Sequence, residues 1–544
     1  MMAVEGTARN QSIPQETDVL VVGGGPVGLS AAVELGRRGV QCVVVEPKLV
    51  VSQLRPRAKT VSARTMEHFR RWGLAERLRE LAPLKVNWSQ DVVFCTALLG
   101  YEVTRFTNCF GLTPQRTDMC AESGQQIAQP LVEEVLREAV STLELCNLCL
   151  GWSLHTLHQH DDCIETTIIN EQGEQRQIRA SYVVGCDGAR SMVRAAMGVH
   201  YVGTSDLRPN FGLVFRAPGL AQRQPHGPAV QYWVLNPACP GVLGRMDLED
   251  RWWAGVNGVS AEAGQADPHA LIRGLVGTEI NAEVLGTDPW TARMLLADRY
   301  RDGRVFLAGD AAHLNPPWGG HGFNTGIGDA VNIGWKLAAV LAGWGGDGLL
   351  GSYEAERRLV AERTIQEATV NMSVLAPELG NRDLAASGPI GEQARRVAAQ
   401  VIQAAKDREF HSLGLVLGYQ YDASPVIIDD GTPSLPERQD YEPTARPGAR
   451  LPHLWLPDGA SLYDRLGNGL SLLRLRDDAD VVPFIESATA HSVPLTVIEL
   501  RGQTIEEVYG ASLLLVRPDQ HVAWRGTSVD RATAGTILDR IRGV

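Results

Sequence analysis

The sequence offers little that would carry it to a membrane or a nucleic acid. No stretch of its 544 residues approaches the roughly 18 consecutive apolar residues of a membrane span. Its formal charge of −12 is the wrong sign for a nucleic-acid or anionic-lipid surface. The opening residues, MMAVEGTARNQSIPQE, lack the basic-then-apolar pattern of a secretory signal, so a cytoplasmic location is expected. Cysteine is absent after Cys239, and the nine present are scattered and odd in number, which suits reduced thiols rather than a disulfide framework. Cys146 and Cys149 spell C-x-x-C, but the segment around them reads as a strand, where residues three apart face opposite sides. With no second pair at zinc-site spacing, no metal site is assigned.

What is present is ordinary for a globular protein, with 44 % apolar and 21 % charged residues. The length exceeds one core, so two or three domains are expected. The most informative stretch is Thr17 to Glu46. A short β-branched run, Val19 to Val22, reads as a buried parallel strand. Gly23, Gly25 and Gly28 follow in G-x-G-x-x-G spacing, Pro26 suits a first helical turn, and a second strand from Val40 ends in Glu46. Gly23 allows the tight turn, Gly25 lets a pyrophosphate approach the backbone, and Gly28 lets helix pack on strand. The helix N-terminus presents free N–H groups to that anion. A carboxylate at Glu46 suits both ribose hydroxyls and repels a 2′-phosphate. The stretch predicts an adenine-dinucleotide site.

Further along, Arg57 sits in Pro-Arg-Ala ahead of any helix, on a loop returning from that site. Most other arginines of this basic segment read as a solvated helix face, with Glu67 and Arg71 at i,i+4 spacing. Gln129 opens an amphipathic helix over 125–140. The strand Ser181 to Val184 leads into Gly185-Cys186-Asp187-Gly188, where Asp187 either caps the next helix or serves a ligand. Residues 208–290 are rich in strands and turns and read as an inserted antiparallel sheet. Another strand then ends in Gly309-Asp310, with His313 three residues on. A Pro-Pro turn at Pro316 and Pro317 feeds, through Gly319, Gly320 and Gly322, a helix that begins near Asn324. Asp329, further along that helix, is a candidate for a polar network.

The G-x-G-x-x-G fold with Glu46, the Asp187-Gly188 motif and the Gly309-Asp310 motif stand in the order and spacing of the class A FAD-dependent aromatic hydroxylases. The chain resembles their phenol hydroxylase branch, which includes chlorophenol and polyketide hydroxylases. The resemblance implies FAD as cofactor and NAD(P)H as transient co-substrate. It implies oxygen transfer from O₂ to a phenolic or polycyclic aromatic ring through a flavin C4a-hydroperoxide. It further implies that Glu46 binds the adenosine ribose, that Asp310 binds the ribityl chain, and that Asp187 serves both FAD and the nicotinamide nucleotide. Flavin-chain contacts fall to Arg57 and Gln129, and the loop from Pro316 through Gly322 and Phe323 to Asn324 cradles the flavin ring. The rivals are Baeyer–Villiger insertion or epoxidation on a polyketide, and a flavin-binding protein without turnover. A halogenase is disfavoured because W-x-W-x-I-P is missing.

The expected fold is α/β. A Rossmann-like FAD-binding domain spans 1–190 and 291–405, an inserted antiparallel-sheet substrate domain spans 191–290, and a Pro- and Asp-rich linker covers 406–446. The last unit, 447–544, has the strand order of a thioredoxin-like domain and no cysteine, which suits stabilisation or association, a homo-oligomer included. Every cofactor motif precedes the linker, so this unit is expected to be removable without loss of FAD. For the substrate's hydroxyl proton, Tyr232 on the inserted sheet is the leading candidate, with Arg57 and His313 behind it. The alternative for Tyr232 is a packed core residue whose hydroxyl caps a carbonyl.

Overall fold

Three apolar strands, widely separated in the chain, end side by side. The computed structural model describes residues 13–55, 58–373, 381–501 and 508–544, which adopt a mixed α/β fold. In the largest sheet, Val305–Leu307, Gln175–Gly185, Glu16–Val22, Cys42–Glu46 and Cys146–Leu150 run parallel in that spatial order. Their continuous Val, Ile and Leu content follows from burial on both faces, with helices Pro26–Gly36 and His321–Leu341 packed together against the sheet. The carboxyl ends of the first three of these strands therefore bring Asp310, Asp187 and Gly23 to one edge. In open α/β sheets that edge is where ligands bind. Among the described residues no helix is long and apolar enough to cross a membrane.

A second sheet has seven strands, in the order Glu283–Thr291, Pro209–Arg216, Arg251–Asn257, Gly241–Arg245, Gln231–Val234, Val92–Cys95 and Glu102–Phe106. The last two come from well before residue 191, and Gln231–Val234 pairs with Val92–Cys95 in parallel. The sheet is thus mixed, and it draws on chain that the expected insertion at 191–290 did not include. Side chains alternate across it. One face, with Phe211, Tyr232, Leu243 and Trp252, closes a dry core with helix Pro268–Val276. The other carries Phe94, Trp233 and Val242, cross-strand neighbours in register, and packs with Trp318 and helix Gly388–Phe410.

The last part of the chain forms a four-stranded sheet, ordered Leu495–Glu499, Leu470–Arg474, Leu513–Val516 and Val522–Gly526, with helices Val482–Ala490 and Arg531–Arg542. Its core continues into Trp335, Ala339, Trp344 and Leu349 of the preceding helices and their connection. Charge links it more strongly. Arg517 donates to both oxygens of Glu356 at 2.6 and 2.8 Å and to Asp519. Glu356 also accepts from Lys336 and Asn332, each at 2.7 Å, and all five side chains are almost fully buried. A second junction joins Arg450 and Arg64 to Glu67. Glu67 is 1 % exposed, not solvated as its spacing suggested, because the last unit covers its helix, while Arg71 turns to Glu34. Removing residues after 446 would take Arg517 from Glu356 and Arg450 from Glu67, so the last unit is tied to the rest of the chain by buried charge as well as by apolar contact.

Burial alone would raise the Glu356 carboxyl, but Arg517 and Lys336 outweigh it and hold it down to about 2, from an ordinary 4.5. A depressed acid contributes stability that is full above its unfolded value and is lost as pH falls through its folded value. Acid unfolding should therefore set in below about pH 4.5 and deepen toward pH 2. Arg517→Met strands a buried carboxylate, a change that costs about 3–5 kcal/mol. It should lower the thermal midpoint at pH 7, and the deficit should shrink toward pH 2. An unchanged midpoint by calorimetry would contradict this account.

Candidate functional site

The dinucleotide turn is built from close approaches that only glycine allows. Gly23 has φ +107°, and a Cβ there would lie 2.4 Å from the Cys186 carbonyl oxygen. A Cβ on Gly28 would lie 1.9 Å from the Gly23 oxygen. Gly25 differs, because a Cβ would meet nothing within 4 Å, so the space beside it is open. It is the N-cap of helix Pro26–Gly36, with Pro at the first turn and no side-chain cap. The first amides of that helix are left for an anion.

Around this turn stand the predicted acids. Glu46 accepts from the Gly24 amide at 2.8 Å through one oxygen and from the Lys48 amide at 3.0 Å through the other. These bonds fix the carboxylate and leave lone pairs for ribose hydroxyls. Asp187 does cap the following helix, accepting from Met192 at 2.7 Å and Val193 at 3.2 Å through Oδ2. Its Oδ1 is buried without a hydrogen-bond partner, and burial raises the carboxyl. An orphaned acceptor beside the Gly23 turn fits a hydroxyl-bearing ligand. Asp310, in the turn Gly309–Ala311, is exposed at the same edge, and its carbonyl accepts from the Tyr201 hydroxyl. Gly309 (φ +60°) presses on Val27 of the first helix, where a Cβ would stop 2.8 Å from Cγ2.

Beneath this edge lies Asp329. It accepts from the Gly309 amide at 3.1 Å, meets His313 Nε2 at 2.9 Å, and accepts from Arg357 Nε at 2.7 Å. Burial opposes its charge, but Arg357 and His313 prevail and hold the carboxyl below its usual value. His313 is 1 % exposed. The structure corrects its candidacy as proton acceptor, since it shores up the Gly309–Asp310 turn from behind.

The loop from buried Pro316 to Asn324 turns through Gly319 (φ +80°) and Gly320 (φ +69°) into helix His321–Leu341. Asn324 locks it, accepting from the Ser62 amide at 2.9 Å and donating to Gly320 at 2.8 Å and Thr60 at 3.3 Å. A Cβ on Gly322 would lie 2.9 Å from Asn315 Oδ1, and half-buried Phe323 packs on the dinucleotide core. Gln129 pairs with Ala58 through both backbone and side chain and donates to Glu133 at 2.8 Å. Arg57 lies outside the described residues.

Tyr232 is also corrected. It is fully buried on the core face of the seven-stranded sheet, and its hydroxyl donates to the Gly227 carbonyl at 2.5 Å. Strand alternation turns its neighbour Trp233, not Tyr232, toward the loop carrying Trp318. Sequence reasoning missed two features of this region. Arg357, which pins Asp329, stands one residue after Glu356 on a helix whose pattern shows only alternating charge. Lys59 directly follows the Pro-Arg-Ala turn, and no motif singles it out.

Residues 16–368 match the FAD binding domain family, and residues 444–544 match the aromatic-ring hydroxylase C-terminal family. The chain belongs to the class A FAD-dependent aromatic hydroxylases. Among its relatives is aklavinone 12-hydroxylase RdmE of Streptomyces purpurascens, 31 % identical with 97 % of this chain and 99 % of that protein covered. Another is tetracenomycin B2 monooxygenase-dioxygenase of Streptomyces olivaceus, 32 % identical over 97 % and 98 %. The structure of RebC with bound 7-carboxy-K252c superposes with a TM-score of 0.91 at 34 % identity, covering 98 % of this chain and all of that one. The flavin-dependent monooxygenase PieE in complex with FAD and substrate gives 0.87 at 30 %, with the same coverage. These hydroxylases share the FAD cofactor, and the edge formed by Gly25, Glu46, Asp187 and Asp310 has the donors and acceptors to hold it.

Two predictions follow from the geometry. Asp310→Ala and Glu46→Ala each remove a charged acceptor worth about 1.5–3 kcal/mol to a bound hydroxyl. Each should weaken FAD retention on the order of 10- to 100-fold, read from flavin content after gel filtration. Tyr232→Phe removes one buried hydrogen bond, costing about 1 kcal/mol of stability. It should leave the ratio of hydroxylated product to NAD(P)H consumed unchanged, and a rise in released hydrogen peroxide would restore Tyr232 to the site.

Proposed function

We propose that this FAD-dependent monooxygenase uses NAD(P)H and O₂ to hydroxylate a planar phenolic or polycyclic aromatic substrate lying on the flavin side of the seven-stranded sheet. The observation that carries this reading is the asymmetry of the sheet's two faces. By register, Val242, Gly244, Trp253, Gly255, Val214 and Gly212 share the face of Trp233. The adjacent strand adds Gly286, Asp288 and Trp290. Large side chains fill the opposite face, whereas here four glycines make a floor between Trp233, Trp253 and Trp290. Gly255 is half-buried with open space beside it, whereas the Trp253 indole lies against Gly244 and Leu54 against Gly286. The indole Nε1 groups of Trp233 and Trp253 are buried and unpartnered, so each is a donor awaiting an oxygen acceptor.

When bound, FAD supplies the electron storage and oxygen activation of the reaction. The chain's own residues bind, orient and enclose. Gly25 and the helix start would hold the pyrophosphate, Glu46 and Asp310 would hold the sugar chain, and Asp187 would add an acceptor. The Pro316–Asn324 loop, locked by Asn324, would hold the flavin ring. Trp318 and helix Gly388–Phe410 close one end and exclude water, and the aromatic walls keep the ring flat against the sheet. Residues 447–544 read as a thioredoxin-like unit without redox cysteines. Their strand order and the helices Val482–Ala490 and Arg531–Arg542 support that assignment, and the shared charge network supports a stabilising role.

The test is NAD(P)H oxidation stimulated by a panel of phenols and hydroxylated polycyclic aromatics, with products analysed after reaction in isotopic O₂. The expected outcome is preferential stimulation by fused-ring phenols and one labelled oxygen on the ring carbon. Label inserted into a ring as an ester oxygen, or oxidation that no aromatic stimulates, would overturn the proposal.

A further inference from the structure

With Tyr232 in the core and His313 behind the Gly309 turn, neither accounts for the substrate's hydroxyl proton. Lys59 stands where such a group is needed. Its neighbour Ala58 is bonded to Gln129, and Thr60 is bonded to Asn324 and lies against Gly320. Lys59 is thereby held between the flavin loop and the seven-stranded sheet. Its Nζ lies 4.3 Å from the centroid of the Trp253 ring, on the glycine-floored face. The ammonium makes no hydrogen bond or salt bridge among the described residues. Of the charged groups on the elements around it, Asp288 of the sheet acts on it, and Arg55 of its own segment lies 3.6 Å from Asp288.

We propose that Lys59 takes the hydroxyl proton of the aromatic substrate and holds the resulting phenolate for attack. The inference rests on the substrate face assigned above. The O–H bond of the ring hydroxyl breaks, an N–H bond forms on neutral Lys59, and an ammonium–phenolate pair remains. After oxygen has been added, the ring carbon loses its proton to solvent as aromaticity returns. The ammonium then gives its proton back to the same oxygen, and Lys59 is neutral again. Burial, opposed by Asp288, brings the Lys59 amine from 10.5 down to about 8, so a neutral fraction is present near physiological pH. An aromatic hydroxyl near 10 is the natural donor, and an adjacent ammonium lowers such a group by about 1–3 pH units. The face of Trp253 stabilises the charged amine without fixing its direction, which leaves its protons free for a ligand.

The experiment uses the FAD-loaded protein and alizarin, a hydroxyanthraquinone whose neutral and anionic forms differ in colour. Bound alizarin should ionise about 1–3 pH units lower on the wild type than on Lys59→Met. Lys59→Arg, which keeps the charge but gives up no proton, should hold the dye as anion. In turnover, the ratio of product to NAD(P)H consumed should rise with pH through about 8 in the wild type and be flat in both variants. Should Lys59→Met fail to fold, the wild type still decides. Acetylation of Lys59 by N-acetoxysuccinimide, located by peptide mass, should fall severalfold when alizarin is bound. Equal dye ionisation in wild type and Lys59→Met, or undiminished acetylation, would overturn the role of Lys59. Protein that holds FAD and oxidises NAD(P)H but binds no alizarin would overturn the substrate face itself.

Discussion

The edge that holds the cofactor depends on one buried carboxylate. Asp329 has no solvent to support its charge, so its stability comes from the partners that surround it: the Gly309 amide, His313 and Arg357. Through Gly309 it sets the turn on which Asp310 is presented. Through Arg357 it is tied to the helix that also carries Glu356, and through Glu356 to Arg517 near the far end of the chain. A buried charge left by one partner is expensive, so these groups tend to be all in place or none. The Gly309 turn, the helix after the flavin loop and the last sheet are held in one relative arrangement by the same chain of charges.

Much of the cofactor half was legible because its signals are local. Gly23 and Gly28 are glycine because backbone passes too close for a Cβ, Gly25 leaves open space beside the turn, and all three show their spacing within one short stretch, with Glu46 at the end of the next strand. Asp187 and Asp310 were found because each terminates a short apolar strand, and parallel strands deliver their ends to one edge. The last unit was equally readable as a succession of strands and helices, since each has its own period.

What was not legible depends on contacts across the sequence. The spacing of Glu67 and Arg71 is that of a solvated face, and only the arrival of Arg450, 383 residues later, makes the site of Glu67 an interior one. Strands Val92–Cys95 and Glu102–Phe106 join a sheet whose other members begin more than 100 residues on, and nothing in their pattern names that partner. For Tyr232 the difficulty was parity. Tyr232 and Trp233 are both large aromatics in one short strand, and composition does not say which of the two faces the core. The register with Phe94 and Val242 decides it.

The glycine floor has a bearing on how such a protein could diverge. The glycines of this face differ in how much room each leaves for a side chain. A Cβ at Gly255 would approach only Val242, at 3.8 Å, whereas one at Gly212 would strike the Asp288 carbonyl oxygen at 2.9 Å. Gly255 is therefore a position where the shape of the accepted molecule can drift while the sheet, the flavin loop and the charge network stay as they are. Gly212 is bound to the scaffold. Neighbouring residues on one face thus evolve under different constraints, one set by the guest and the other by the wall.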